Sequence, residues 1–346
     1  MTTTLQTIGT REIQFREAIN ECLRQEMERD DTVIIMGEEI AGGAGREDQG
    51  IEDAWGGPFR TTVGLIQQFG RNRVLDTPLS EAAFIGAAIG ASSTGLRAVA
   101  ELKFVDFIGV CMDQLVNNAA KMRYMFGGQV KVPFTMMTRI GAGFGAAAQH
   151  SESYYSIFSH IPGLKGVVPS DAYTAKGLLA ACIRDDDPIV FFEHKGLYGI
   201  TGPVPEEPYV LPIGKARTIR EGTDVTLVGI SKMTWTANDA ATELAKEGIS
   251  CEVIDLLSVS PIDYDHINES VQRTHRLVVV DEDTPVCSMA SEICSRVAEE
   301  VFDYLDAPPS RVTAPHTPVP YSRAMENEYM PNEARVINTV RALLNR

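Results

Sequence analysis

The sequence predicts an α/β protein: a mostly parallel sheet covered by helices on both faces, followed by a smaller second α/β domain. Three observations carry this. Short, largely apolar runs at 32–36, 97–102 and 132–138 read as strands buried on both faces. Segments with helical apolar spacing alternate with them, which is the signature of strand-helix-strand units. A proline-rich stretch at 201–208 then separates two such series, and 346 residues exceed what one hydrophobic core usually serves.

Taken in order, residues 12–29 space Ile13, Ala18, Ile19, Cys22, Leu23 and Met27 at helical intervals, and the strand over 32–36 runs into Gly37-Glu38-Glu39. From 41 to 59 the chain turns glycine- and acid-rich, a surface loop long enough to suggest a function. Val74-Leu75 ends the next buried strand. Pro78 forbids helix before it, and Ser80 is a good N-cap for a helix over 82–95. That helix is almost entirely small or apolar, so burial on every side is expected. Glu81 falls in its first turn. The bland reading is a glutamate that suits the helix dipole, but an acid opening a buried helix is itself sheltered from water, which makes Glu81 a candidate for chemistry.

A strand over 97–102, a long helix over 108–125 and a strand over 132–138 follow, with Pro133 tolerable at a strand start. The last runs into a glycine loop, Gly141-Ala-Gly-Phe-Gly145, that ends in Gln149-His150-Ser151. A strand at 166–169, a helix over 172–184 and a strand over 188–193 complete the first unit. Proline at the density of 201–208 supports neither helix nor sheet interior, so it reads as a linker. Beyond it come strands at 224–230, 251–256 and 276–280 and helices at 236–246, 263–272, 289–304 and 332–344, with an extended connection over 314–320. The expected domains are thus 1–200 and 221–346, joined by a linker over 201–220. There is no internal repeat and no low-complexity tract.

Composition excludes several classes. The formal charge of −16, from 31 basic and 47 acidic residues, argues against nucleic acid as a partner and leaves room for a basic protein partner. No apolar run reaches a membrane-spanning length, and the N-terminal residues lack the pattern of a signal or transit peptide, so a cytoplasmic protein is expected. Cys22, Cys111, Cys182, Cys251, Cys287 and Cys294 include no C-x-x-C pair and read as reduced core thiols.

Among chemistry-bearing motifs, the glycine loop at 141–145 superficially matches a dinucleotide fingerprint. A ribose-binding acid should follow about twenty residues on, and Gly163-Leu164-Lys165 stands there instead. There is no G-x-x-x-x-G-K-[ST] and no G-x-S-x-G. His150, with polar neighbours at the end of a glycine loop, is a candidate for proton transfer, whereas His160, His194, His266 and His275 read as ordinary surface or core residues.

Gly37-Glu38-Glu39, Asp76-Thr77-Pro78-Leu79-Ser80-Glu81, Asp113-Gln114 with Asn118-Ala-Ala-Lys121, Gln149-His150-Ser151, His160-Ile-Pro-Gly-Leu-Lys165 and Ala181-Cys-Ile-Arg-Asp185 together resemble the β subunit of the thiamine-diphosphate-dependent 2-oxo acid dehydrogenases. The resemblance runs over nearly the whole chain. It implies a transketolase-like pyrimidine-binding domain and a C-terminal domain that helps β subunits pair. Gly42-Gly43-Ala44-Gly45, Asp53-Ala54-Trp55-Gly56-Gly57 and Ala314-Pro-His316-Thr-Pro-Val-Pro-Tyr321 most resemble the acetoin dehydrogenase branch.

By this resemblance Glu81 hydrogen-bonds the cofactor's pyrimidine ring, Phe107 stacks on it, Leu79 lies along it, Glu38 orders the thiazolium side, and His150 faces the reacting carbon. A bare residue reading makes Phe107 a core aromatic. The family also implies a potassium site, made mainly of backbone oxygens, around Phe134, Cys182, Asp185 and Asp187; by itself the acidic run reads as an ordinary helix end. No G-D-G occurs here, so magnesium and the diphosphate are expected on a separate α subunit, in an α2β2 heterotetramer that serves a lipoyl acyltransferase core. Carboxylates between Glu292 and Glu333 are candidates for that docking, against the plainer reading of a solvated acidic face. The implied activity is acetoin cleavage with acetyl transfer to lipoamide. The alternatives are a pyruvate or branched-chain 2-oxo acid dehydrogenase subunit, a non-catalytic scaffold, and a self-sufficient transketolase-like enzyme.

Overall fold

Alternation of apolar strands and helices produces the layered arrangement in a computed structural model that describes residues 10–41 and 56–345. The loop expected over 41–59 therefore lies largely outside the described residues, as do Gly42 to Gly45 and Asp53 to Trp55. The first half runs β1 (Thr10–Gln14), α1 (Phe15–Arg29), β2 (Val33–Glu38), α2 (Leu65–Phe69), β3 (Val74–Thr77), α3 (Glu81–Ser93) and β4 (Arg97–Leu102). It continues through α4 (Ile108–Asp113), α5 (Ala120–Met125), β5 (Phe134–Ile140), α6 (Tyr155–Ser159), β6 (Lys165–Val167), α7 (Ala172–Arg184), β7 (Ile189–His194) and β8 (Thr201–Pro205). The second half holds β9 (Arg217–Arg220), β10 (Val225–Gly229), α8 (Met233–Ala245), β11 (Cys251–Asp255), β12 (Ser258–Ser260) and α9 (Tyr264–Thr274). It ends with β13 (Leu277–Val280), α10 (Met289–Glu300), β14 (Ser310–Val312), α11 (Arg323–Tyr329) and α12 (Glu333–Leu344).

A seven-stranded sheet has the order β12-β6-β7-β5-β4-β2-β3, parallel throughout except for the antiparallel edge strand β12. Successive residues of its strands face opposite layers: Ile34 and Met36 pack with α3, while Val33 and Ile35 pack with α1 and α7. That is why the strands read as continuous apolar runs. The second sheet, β14-β13-β10-β11-β9, is parallel except for β9. The α3-side core continues through Val168 and Val259 into Val228, Ile254 and Val279, so the halves share buried apolar surface.

Several expectations need correction. Residues 12–14 belong to β1, which pairs antiparallel with β8; the proline-rich stretch therefore starts as an edge strand, where missing N–H groups cost little. The helix expected over 108–125 is broken, with Cys111 at φ −122° and a π-helical turn over Gln114–Ala119. Ser80 occupies the N-cap position of α3, but its hydroxyl donates to the Pro78 carbonyl at 3.3 Å and caps nothing. α3 is not buried on every side: Phe84, Ile85, Ala88 and Ile89 face the core, while Ala83, Ala87 and Gly90 are exposed in the single chain. All six cysteines are free thiols, yet Cys287 is exposed.

Candidate active site

In a parallel sheet the strand C-termini open on one edge, and ligands gather there. Here that edge carries charge. Register places Glu38 beside Thr77, Gly37 beside Glu101, and Arg139 and Ile140 beside Glu193 and His194. Gly37 is closely packed: a Cβ there would lie 3.0 Å from the Cβ of Glu101 and press its neighbours outward.

The residues singled out by sequence fall in two neighbouring groups. Glu81 opens α3 half-buried, and Leu79 just before it is 83 % exposed. Glu38 is buried at the end of β2; burial first, and then repulsion from Glu81, pushes its carboxyl above the usual range. Among the described residues its Oε1 has no hydrogen-bond partner, nor does Thr77 Oγ1. Cys111, four residues after Phe107, is pushed up to about 12 by burial and then by Glu81. The second group is aromatic. The rings of Phe104 and Phe107 meet the His150 imidazole edge-on, at centroid distances of 4.6 and 5.5 Å.

Behind these groups lies a charged cluster that sequence reasoning missed. Arg139 is fully buried; its Nη2 donates to Glu101 Oε2 at 2.7 Å and to Thr61 Oγ1 at 3.2 Å, and its Nε donates to the Tyr198 hydroxyl at 2.8 Å. Lys103 also donates to Glu101. Burial opposes ionisation of Glu101, but Arg139 and Lys103 together outweigh it and hold the carboxyl down at about 2. Glu193 accepts from the Tyr198 hydroxyl at 2.7 Å, yet its Oε1 has no partner among the described residues, and burial raises it to about 7. Charged residues closing apolar strands were the available signal.

The His150 loop is tied down by further residues with no sequence motif. Lys195 Nζ donates to the His150 carbonyl, and burial lowers its ammonium to about 8. Asp106 accepts from the backbone of Ser151 at 3.2 Å and Glu152 at 3.3 Å. His194, expected to be ordinary, is buried with its Nε2 2.8 Å from Glu282 Oε2 of the second half. Gly141 makes this possible: at φ +98°, a Cβ there would lie 2.2 Å from His194 Nε2.

Around the residues implied for potassium the acidic side chains are taken up by basic ones. Lys165 holds Asp185 at 2.8 Å and Asp187 at 3.0 Å, Arg123 also pairs with Asp187, and Arg97 takes the Asp185 carbonyl at 2.9 Å. Cys182 is a buried thiol and Phe134 a buried core residue. Among the described residues no group of three or more His, Cys, Asp or Glu could hold a metal ion. Nor, among them, is any helix long and apolar enough to cross a membrane.

The strand C-termini thus carry a half-buried acid, Glu81, and a buried acid, Glu38, with Leu79 exposed just before α3. Residues 11–201 match the family described as transketolase, pyrimidine binding domain, and 214–336 match transketolase, C-terminal domain. The chain belongs to that family. Within it, the chain is 52 % identical to acetoin:2,6-dichlorophenolindophenol oxidoreductase subunit beta of Bacillus subtilis, over 96 % of this chain and 98 % of that one. The corresponding Cupriavidus necator subunit is 51 % identical over 96 % and 97 %. The pyruvate dehydrogenase E1 component subunit beta-2 of rice mitochondria is 42 % identical over 96 % and 86 %. A solved structure, "Split gene transketolase, inactive beta4 tetramer", superposes with a TM-score of 0.76 at 20 % identity, covering 96 % of this chain and 98 % of that one; it speaks for the fold.

Proposed function

We propose that this chain is the β subunit of a thiamine-diphosphate-dependent acetoin dehydrogenase, active only with an α subunit. The observation that carries the catalytic reading is the pair of acids at the sheet edge: half-buried Glu81, and Glu38 with its unpartnered oxygen, beside Leu79. The Glu81 carboxyl suits the cofactor's pyrimidine end, and the Glu38 oxygen is an acceptor left over for the thiazolium side. When bound, thiamine diphosphate supplies a nucleophilic thiazolium carbon that can cleave the bond next to a carbonyl. Glu81 would share a proton between its carboxyl oxygen and the pyrimidine ring nitrogen, Phe107 and Leu79 would offer apolar surface, and Glu38 would help order the thiazolium side. His150 would hold or move a proton at the substrate's oxygen or assist acyl transfer.

Cofactor phosphates and magnesium are left to the α subunit, which would join this chain in an α2β2 assembly serving a lipoyl acyltransferase core. Residues 1–200 would act as the pyrimidine-binding domain and 221–346 as the C-terminal domain, with 201–220 between them. A potassium ion near 134 and 182–187 would have to rest on main-chain oxygens. Acetoin is preferred over pyruvate or branched-chain 2-oxo acids because identity is 52 % and 51 % to the acetoin subunits against 42 % to the pyruvate one.

Reconstitution with the α partner tests this. Acetoin should release acetaldehyde and reduce an added dye, and carbon dioxide from pyruvate should form more slowly; the reverse order would move the assignment to the pyruvate branch. Turnover by the isolated chain would overturn the need for a partner.

A further inference from the structure

Four consecutive backbone N–H groups after β5 point at two carboxylates from the second half. Glu282 accepts from Ala142 at 2.6 Å, and Glu326 accepts from Gly143 at 2.6 Å, Phe144 at 3.1 Å and Gly145 at 2.9 Å. Glu326 lies in α11 and is 0 % exposed. Successive N–H groups converge in this way on an anion in a backbone nest, which in nucleotide-binding loops receives a phosphate. Here the chain itself provides the anion. That gives the glycine loop a purpose the dinucleotide reading could not, and it makes Glu326 unlike the surface acids around it.

The loop's other end is gripped as well, by Lys195 on the His150 carbonyl and Asp106 on the N–H groups of Ser151 and Glu152. His150 stands at the second clamp, five residues past Gly145, with its ring against Phe104 and Phe107.

We infer that Glu326 is a positioning residue: its carboxylate, seated on the N–H groups of 143–145, fixes the loop that aims His150 into the site. This rests on the reading of His150 as a residue that faces the substrate. Glutamine at 326 would keep the volume but turn one acceptor oxygen into an NH2 group facing backbone donors, opening one end of the clasp.

The experiment compares Glu326→Gln, His150→Ala and the double variant in the reconstituted α/β complex, with amide hydrogen exchange read in parallel. Glu326→Gln should lower kcat on acetoin about tenfold to a hundredfold with KM little changed, as expected for a misplaced catalytic group. It should cause no further loss in the His150→Ala background. Exchange at residues 143–145 should accelerate while that of Ala142, held by Glu282, and of β2 and β4 stays unchanged. Glu326→Asp, which keeps the charge, should show a smaller loss with the same lack of additivity, and it serves if the glutamine variant does not assemble. Equal losses in both backgrounds, or unaltered exchange at 143–145, would overturn this inference alone. A fully active His150→Ala would overturn the reading of His150 and this inference with it.

Discussion

Arg139 and Glu101 meet at 2.7 Å inside the first sheet, with Arg139 fully buried and Glu101 2 % exposed. Taking away the cation would leave Glu101 and Glu193 as buried acids with reduced compensation. Arg139→Met should therefore destabilise the chain by about 3–5 kcal/mol in denaturant unfolding, the range for breaking a buried ion pair from one side. An unchanged midpoint would mean that water reaches the cluster.

The two acids facing Arg139 should give opposite pH responses. Glu101 is depressed from 4.5 to about 2, so its contribution is present above 4.5 and is lost as pH falls through 2. Glu193 is raised from 4.5 to about 7, so the stability it allows is fully present below 4.5 and is lost as pH rises through 7. Glu193→Gln should flatten the decline between 4.5 and 7. Glu152 and Asp283, also raised to about 7, would retain the remaining slope.

Glu81→Gln separates an enzyme from a scaffold. Loss of a positioned acid–base group should reduce activity of the complex about a hundredfold or more, while α/β assembly survives. A scaffold would keep its partner's activity nearly intact.

Gly141→Ala should be costly out of proportion to one methyl group. The new Cβ would collide with the His194 ring and sit at φ +98°, so the His194–Glu282 bond between the halves must break. A loss of about 2 kcal/mol or more is expected from backbone strain plus an unpaired buried group. Thermal unfolding would check it, and a wild-type midpoint would contradict the geometry.

Docking to a basic partner should weaken with salt if exposed acids drive it. Glu292, Glu299, Asp303 and Glu328 are available for that role, whereas Glu326, inside the same stretch, is buried on the glycine loop. Charge reversal at Glu299 should then reduce affinity, measurably so at low ionic strength; binding indifferent to salt would count against these residues.

Much of this architecture was legible because parallel strands buried on both faces must be apolar without alternation: β4 and α7 fall on their expected spans. What escaped depended on distant register. Ser258–Ser260 is too short and polar to announce a strand, and only its pairing with β6 makes it one. Of the candidate site residues, Glu81 and His150 stood out by their place at a helix start and a loop end, and Leu79, Glu38 and Phe107 only through the family resemblance. Arg139, Lys195 and Glu326 did not, because an arginine in a strand or a glutamate in an acidic tail looks solvated until folding buries it.

The three residues of β12 belong by position to the later part of the chain and by hydrogen bonding to the earlier sheet. Chimeras spliced from two relatives at the proline bend would thus inherit a border strand from the wrong parent. Recombination should be tolerated there only when the donor's Ser258–Ser260 matches the recipient's Lys165–Val167, so the genetic unit of inheritance is larger than either sheet.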